Sequence, residues 1–258
     1  MTAIRIAIAN QKGGVGKTTT SLQLIFNLLA KGKRVLCIDF DGQGNLSSRL
    51  AYDTDEGEPL SLGTRTVELY REDDFELNPT ICPSGAHLIR SEKNDPDLFG
   101  AESYDGDITL LPKMHISTIS ANYDYIVIDC PPSLGNNLVS ALTMATHVAT
   151  VVKVTGFAVD GAEGLIRTIL GLQSGCNPDL KNLGLIINMQ DSSITHKKAA
   201  EEMKADLGSL VFDNVIRYRT PIDTATSLGI PVNELPYAHV AAREIEIVLD
   251  EIIQRANS

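Results

Sequence analysis

The chain has 258 residues, 43% of them hydrophobic, and a formal net charge of −11. That length and apolar content suit one large α/β domain around a buried sheet, and no apolar run approaches the ~18 residues a membrane-spanning helix needs. The four cysteines are scattered without a C-x-x-C pair and the five histidines lack ligand spacing, which argues against a disulfide framework and a structural zinc site.

Ile4–Ala9 reads as a short buried strand. Its start within four residues of the first methionine predicts no signal peptide and, with Cys37 and Cys130 in apolar surroundings, a reducing cytoplasm. The stretch Asn10-Gln11-Lys12-Gly13-Gly14-Val15-Gly16-Lys17-Thr18-Thr19 follows, and apolar residues at 22, 24, 25, 28 and 29 predict a helix over 21–31. Strand, glycine-rich turn and helix in that order are the context of a phosphate-binding loop. Gly13, Gly14 and Gly16 let the backbone curl so that N–H groups from Gly13 to Thr19, Val15 included, point inward. The helix start adds its positive dipole end, Lys17 a full charge for the terminal phosphates, and the Thr18 hydroxyl a ligand for magnesium.

Gln11 stands where the usual motif has its first glycine, and a second lysine, Lys12, stands beside it. The pattern K-G-G-x-G-K-T is a deviant Walker-A loop, and the chain resembles the ParA/MinD family of ATPases, closest to its partition branch. The resemblance implies ATP and Mg2+ as cofactors and an ATP-dependent homodimer in which Lys12 of each subunit reaches the phosphates held by the other. A cation there would offset charge developing on the leaving phosphate.

Arg34–Asp39 reads as the second strand, followed by Asp39-Phe40-Asp41-Gly42-Gln43-Gly44-Asn45 at the carboxyl end, where open α/β sheets bind ligands. The resembled family carries D-x-D-P-Q-G-N here, with only the proline replaced, by Gly42. By that resemblance Asp41 positions the attacking water and Asp39 supports the magnesium shell. Both acids also suit capping of a helix over 45–50.

Residues 53–107 break the rhythm. They hold 15 acidic and 4 basic side chains, a balance of −11, which leaves 18 of each sign in the rest of the chain. All the excess negative charge therefore sits in one segment, and the remainder can still present a basic face. Pro59, Pro79, Pro83 and Pro96 exclude a long helix, so short helices or turns with mobile acidic connections are expected, as an irregular insertion or partner surface within a single domain spanning 1–258. Leu110-Leu111-Pro112 stands as the counterpart of the family's Ile-Pro strand, with only about a dozen residues before Tyr123.

Tyr125–Asp129 followed by Cys130-Pro131-Pro132-Ser133 is a hydrophobic strand ending in a Walker-B aspartate, whose carboxylate holds magnesium. The string I-D-C-P-P-S also matches the ParA branch, and Pro131, Pro132 and Gly135 mark a loop suited to sensing the γ-phosphate, before a helix over 138–145. Strands are expected at 147–154, 183–188 and 211–216, and helices at 160–173, 192–206, 220–229 and 241–256. The alternation predicts a doubly wound, mostly parallel sheet with helices on both faces. Asn188, at a strand end, either reads the adenine edge or makes an ordinary turn. Val215–Val232 matches the length and ends of a family stretch closing on Gly-x-Pro-Val, which makes Pro231 a candidate nucleotide contact. Lys197, Lys198, Arg217 and Arg219 are candidate DNA contacts, though each alone also suits a solvated surface.

The resemblance thus implies a magnesium-dependent ATP hydrolase of plasmid or chromosome partition in a prokaryote. It would bind non-specific DNA as a nucleoid-associated dimer and be stimulated by a centromere-binding adaptor of ParB type. A membrane-cycling relative of MinD kind would need a basic terminal amphipathic helix, whereas 243–255 sets Arg243 and Arg255 against Glu244, Glu246, Asp250 and Glu251. An iron–sulfur reductase on this scaffold would need a second cysteine near Cys130.

Overall fold

The computed structural model describes residues 2–53, 58–59, 63–104, 108–153 and 160–258. Parts of the acidic segment (54–57, 60–62 and 105–107) lie outside the described residues. In chain order the strands are β1 (Ile4–Ala9), β2 (Val35–Asp39), β3 (Tyr52–Asp53), β4 (Glu58–Pro59), β5 (Thr80–Ile81), β6 (His87–Ile89), β7 (Tyr125–Asp129), β8 (His147–Lys153) and β9 (Lys181–Asn188). The α-helices are α1 (Lys17–Ala30), α2 (Asn45–Leu50), α3 (Pro96–Gly100), α4 (Leu111–Ile119), α5 (Asn136–Met144), α6 (Asp160–Gln173), α7 (Ile194–Leu207), α8 (Thr220–Leu228) and α9 (His239–Ala256).

Among the described residues, seven strands form one sheet in the order β5-β6-β2-β7-β1-β8-β9, parallel except for β5 against β6. β3 and β4 form a separate antiparallel pair. Alternation along the central strands sorts side chains between two cores. Ile6, Ile8 and Val127 pack with Leu22 and Ile25 of α1 and Ile245, Val248 and Ile252 of α9. Ala7, Ile126 and Ile128 face the opposite side, with Ile116 of α4, Leu138 of α5 and Leu165 and Ile169 of α6. This is the doubly wound architecture expected from the alternation of elements. No helix among the described residues is long and apolar enough to cross a membrane.

Three local expectations are corrected. The acidic segment is not only turns and short helices: β5 and β6 add an edge to the main sheet, closed by a turn in which the N–H of Gly85 (φ 86°) donates to the Cys82 carbonyl. Leu110-Leu111-Pro112 is no strand; it enters α4, where a proline in the first turn costs no helical hydrogen bond. The strand preceding β7 in sequence is instead β6, which pairs with β2.

Residues 211–216 run beside β9 without forming a ladder strand, touching it through the isolated bridge Leu185–Val211 and single bonds from the Phe212 and Ile216 N–H groups to the Leu185 and Ile187 carbonyls, with a further bridge, Gln190–Arg217, just past both segments. The reason lies at the centre of the segment. The N–H groups of Asp213 and Asn214 donate to the Glu251 carboxylate of α9 at 2.8 and 3.1 Å, so they leave the sheet's hydrogen-bonding plane.

Candidate functional site

The loop between β1 and α1 is held from three sides. Asn10 is buried; its amide donates to the Val151 carbonyl of β8 at 2.6 Å, and its Oδ1 accepts the Lys12 N–H at 2.9 Å. Gly14 and Gly16 have φ of 70° and 94°, the left-handed region that glycine enters without a steric penalty. Gly16 is confined further: a Cβ there would run into the Asn188 amide. Asn188 donates through Nδ2 to the Val15 carbonyl at 2.7 Å and accepts from the Met189 N–H at 2.8 Å. Its amide therefore braces the loop through Nδ2 while Oδ1 holds its own chain neighbour, and the adenine expectation meets a side chain already engaged by backbone.

Lys17 is only 6% exposed, and its Nζ donates to the Lys12 carbonyl at 3.1 Å. Burial lowers its pKa below the ordinary lysine value, opposed by the nearby Asp129 carboxylate. Lys12 itself lies exposed at the loop's rim.

Asp39 and Asp129 close β2 and β7 and are Cα partners in the parallel ladder. Asp129, fully buried, accepts Thr18 Oγ1 on one oxygen at 2.7 Å and Ser21 Oγ on the other at 2.8 Å. Burial pushes its pKa up to about 6 in spite of those two donors. Asp39, also buried, accepts the Asp41 N–H at 3.1 Å and both the N–H and hydroxyl of Ser47 at 2.9 and 2.8 Å. Burial, then the Asp129 charge, raises it well above the usual carboxylate range. Asp39 thus also serves the first turn of α2, the capping role the sequence left open. Asp41 accepts the Gln43 N–H at 3.0 Å, and its pKa is raised by burial. One cluster therefore gathers Lys17, Thr18, Asp39, Asp41 and Asp129.

Pro231 lies on the other flank of α1. Gln23 accepts the Val232 N–H at 3.1 Å and donates to the Ile230 carbonyl at 3.0 Å, fixing the backbone on both sides of the proline.

The candidate DNA contacts divide. Lys197 and Arg217 line one shallow depression together with Gln190, Lys204 and Glu244. Arg217 and Arg219 both pair with the single Glu244 carboxylate, at 2.6 and 2.9 Å. Two guanidinium groups share one carboxylate there, but Glu201 and Asp213 also line the depression, whose cations Lys197, Lys204 and Arg217 are thus matched by as many acids. Lys198 lies outside that depression, 3.8 Å from Glu202 on its own helix.

Sequence reasoning missed the second-layer hydroxyls and amides. Ser21 has a signal, since it lies one helical turn after Thr18 on the same face. Ser47, Asn10 and Gln23 had none beyond proximity to the motifs.

A family model described as an AAA domain matches residues 3–182. Among characterised relatives, the chromosome partitioning protein ParA of Myxococcus xanthus is 34% identical over 233 residues, covering 88% of this chain and 80% of that protein. The chromosome-partitioning ATPase Soj of Treponema pallidum is 32% identical over 257 residues, 97% of each chain. Among solved structures, a Borrelia burgdorferi protein assigned to plasmid partition, bound to AMPPNP, superposes with a TM-score of 0.81 at 25% identity, covering 98% of this chain and 99% of that one. Cobyrinic acid a,c-diamide synthase of Mycobacterium smegmatis, with a bound ATP analogue and magnesium, gives 0.78 at 27% identity, covering 99% and 96%.

Proposed function

The chain belongs to the ParA/MinD family of P-loop ATPases, and from that premise we propose that it binds MgATP in this loop, pairs with a second copy across the nucleotide, grips DNA non-specifically while paired, and releases it after hydrolysis. The observation that carries the reading is the gathering of Thr18, Asp39, Asp41 and Asp129 around Lys17 at the carboxyl ends of β2 and β7.

The donor set fits magnesium. Two adjacent buried carboxylates, both raised in pKa by burial, form a hard oxygen environment that a divalent cation would relieve. Thr18 and Asp129 would hold the ion, with Asp39 supporting from behind. Bound there, the metal would neutralise charge on the β- and γ-phosphates. Lys17 and the N–H groups of Gly13 to Thr19 would cradle the phosphates, Asp41 would orient the attacking water, and Lys12 would reach the partner's nucleotide. Asn188 and Pro231 would border the nucleoside side.

Arg217 and Arg219, sharing Glu244, and the nearby Lys197 are the cations available to a DNA backbone, and pairing would join two such weak patches into one. A ParB-type adaptor would then stimulate turnover of the dimer on the nucleoid. The membrane-cycling alternative lacks a basic helix face: Glu246 and Asp250 lie beside Arg243 on α9.

The test is a gel shift on non-specific duplex DNA with no nucleotide, ADP or ATP, at two salt concentrations. Retardation with ATP alone that weakens at higher salt is expected. Equal retardation with ADP, or none with ATP, would reject the reading.

A further inference from the structure

The family's D-x-D-P-Q-G-N string has its proline replaced here, and the structure shows what fills the space. A Cβ on Gly42 would lie 2.7–3.0 Å from three carbons of the Phe99 ring, which belongs to α3 in the acidic segment. No side chain at 42 fits while that ring stays. The contact is reinforced by backbone: the Asp95 N–H donates to the Gly42 carbonyl at 2.8 Å, and the Ser91 N–H donates at 2.9 Å to the same Ser47 hydroxyl that holds Asp39.

The same short stretch reaches the other side of the site. Glu102 accepts the Ser133 hydroxyl at 2.9 Å, in the loop that follows Asp129. Gly135 in that loop lies so close to the Glu102 carboxylate that a Cβ could not be added. At the start of α5 the Asn137 amide donates to the Leu98 carbonyl at 2.9 Å. One end of the stretch is itself anchored, since Asp95 caps α3 and pairs with Arg65 at 2.9 Å.

We propose that residues 91–102 form a strut that fixes the Asp41 loop and the loop after Asp129 relative to each other, with Phe99 and Glu102 as positioning residues for hydrolysis. The physical basis is that water attack depends on the relative placement of groups from two different strand ends. Sub-ångström drift between them lowers the rate while leaving ground-state binding largely intact. Phe99 packs on the first loop and Glu102 on the second, so the strut is a link between the loops additional to the β2–β7 ladder, where the Phe40 N–H donates to the Asp129 carbonyl at 3.0 Å. The proposal rests on the ATP-hydrolysing reading for its kinetic part and is independent of it for the mechanical part.

The experiment uses the full chain and the variants Phe99→Ala, Glu102→Ala and Glu102→Gln, with two readouts. In amide hydrogen exchange, Phe99→Ala is expected to speed exchange at least about fivefold in 133–137 as well as in 40–44, and Glu102→Ala to do the reciprocal. In steady-state hydrolysis, both alanine variants are expected to lower kcat about tenfold, with the Kd of a fluorescent ATP analogue within about twofold of the parent. Glu102→Gln, which keeps the oxygen accepting from Ser133, should recover most of the rate. Exchange confined to the loop each side chain touches would overturn the strut, whatever the kinetics. Unchanged kcat in both alanine variants, or kcat and Kd worsening in proportion, would overturn the positioning role. A parent that turns over no ATP at all would instead reject the functional reading, with exchange still deciding the strut.

Discussion

Asp39 and Asp129 sit side by side as Cα partners at the ends of adjacent parallel strands, both sealed from solvent, Asp39 held by three donors from Asp41 and Ser47 and Asp129 by the hydroxyls of Thr18 and Ser21. An acid whose folded pKa lies above its unfolded value takes up protons on folding. Asp129, raised to about 6, therefore imposes on the metal-free protein a penalty that grows as pH climbs from about 4 to about 6 and stays constant above.

Asp129→Asn should accordingly stabilise the metal-free protein at pH 7.5 by on the order of 2 kcal/mol, the amide still meeting the Thr18 and Ser21 hydroxyls. The same variant should lose magnesium-dependent hydrolysis. Thermal melts at pH 5 and 7.5 check the sign: the gain should shrink at the lower pH, where the parent carboxyl is already neutral.

Asn188→Ala removes the donor to the Val15 carbonyl and opens space beside Gly16. A stability loss of about 1–3 kcal/mol is expected from the unsatisfied carbonyl, with nucleotide affinity falling as the loop loses its brace. Denaturant melts and titration with a fluorescent nucleotide measure the two effects. Unchanged affinity would show that the loop keeps its shape without the amide.

Lys12→Ala and Asp41→Ala separate pairing from chemistry. The first should bind nucleotide yet elute as a monomer with saturating ATP. The second should elute as an ATP-trapped dimer that turns over at least about a hundredfold more slowly. Size-exclusion chromatography with a phosphate-release assay reads both.

Glu251 accepts from Asp213, Asn214 and Arg255, and these donors hold its pKa below the usual glutamate value despite burial. Its stabilising contribution is present above the unfolded pKa and lost as pH falls through the folded one. Glu251→Ala should cost about 2 kcal/mol near neutrality, since it leaves the Asp213 and Asn214 backbone donors without their acceptor, while Arg255 keeps the Leu183, Ser209 and Val211 carbonyls. The deficit relative to the parent should narrow below about pH 4.

The phosphate loop, Asp39 and Asp129 were legible in the sequence because each is set by a few consecutive residues whose spacing has a direct physical meaning. The doubly wound architecture followed from alternating strands and helices. β5 and β6 were not legible: two and three residues are too short for a period, and their edge position depends on pairing with distant β2. The segment 211–216 has the composition of a strand, but a glutamate 38 residues from Asp213 diverts its donors. Arg217 and Arg219 looked like independent surface charges until Glu244, 27 and 25 residues away, proved to be shared between them.

The strand order has a consequence for how the molecule meets a charged polymer. The segment carrying the surplus acids contributes, in its described part, the β5-β6 edge, while Lys197, Arg217 and Arg219 lie beyond β9, at the opposite edge. The excess negative charge therefore lies toward one edge of the sheet, and the far edge, where cations and acids balance, is the less negative one. A polyanion would turn it like a compass needle, acidic edge outermost, before any specific contact forms. Neighbours bound along the same polymer would then present negative rims to the surrounding solution, so attachment would select an orientation and discourage stacking outward.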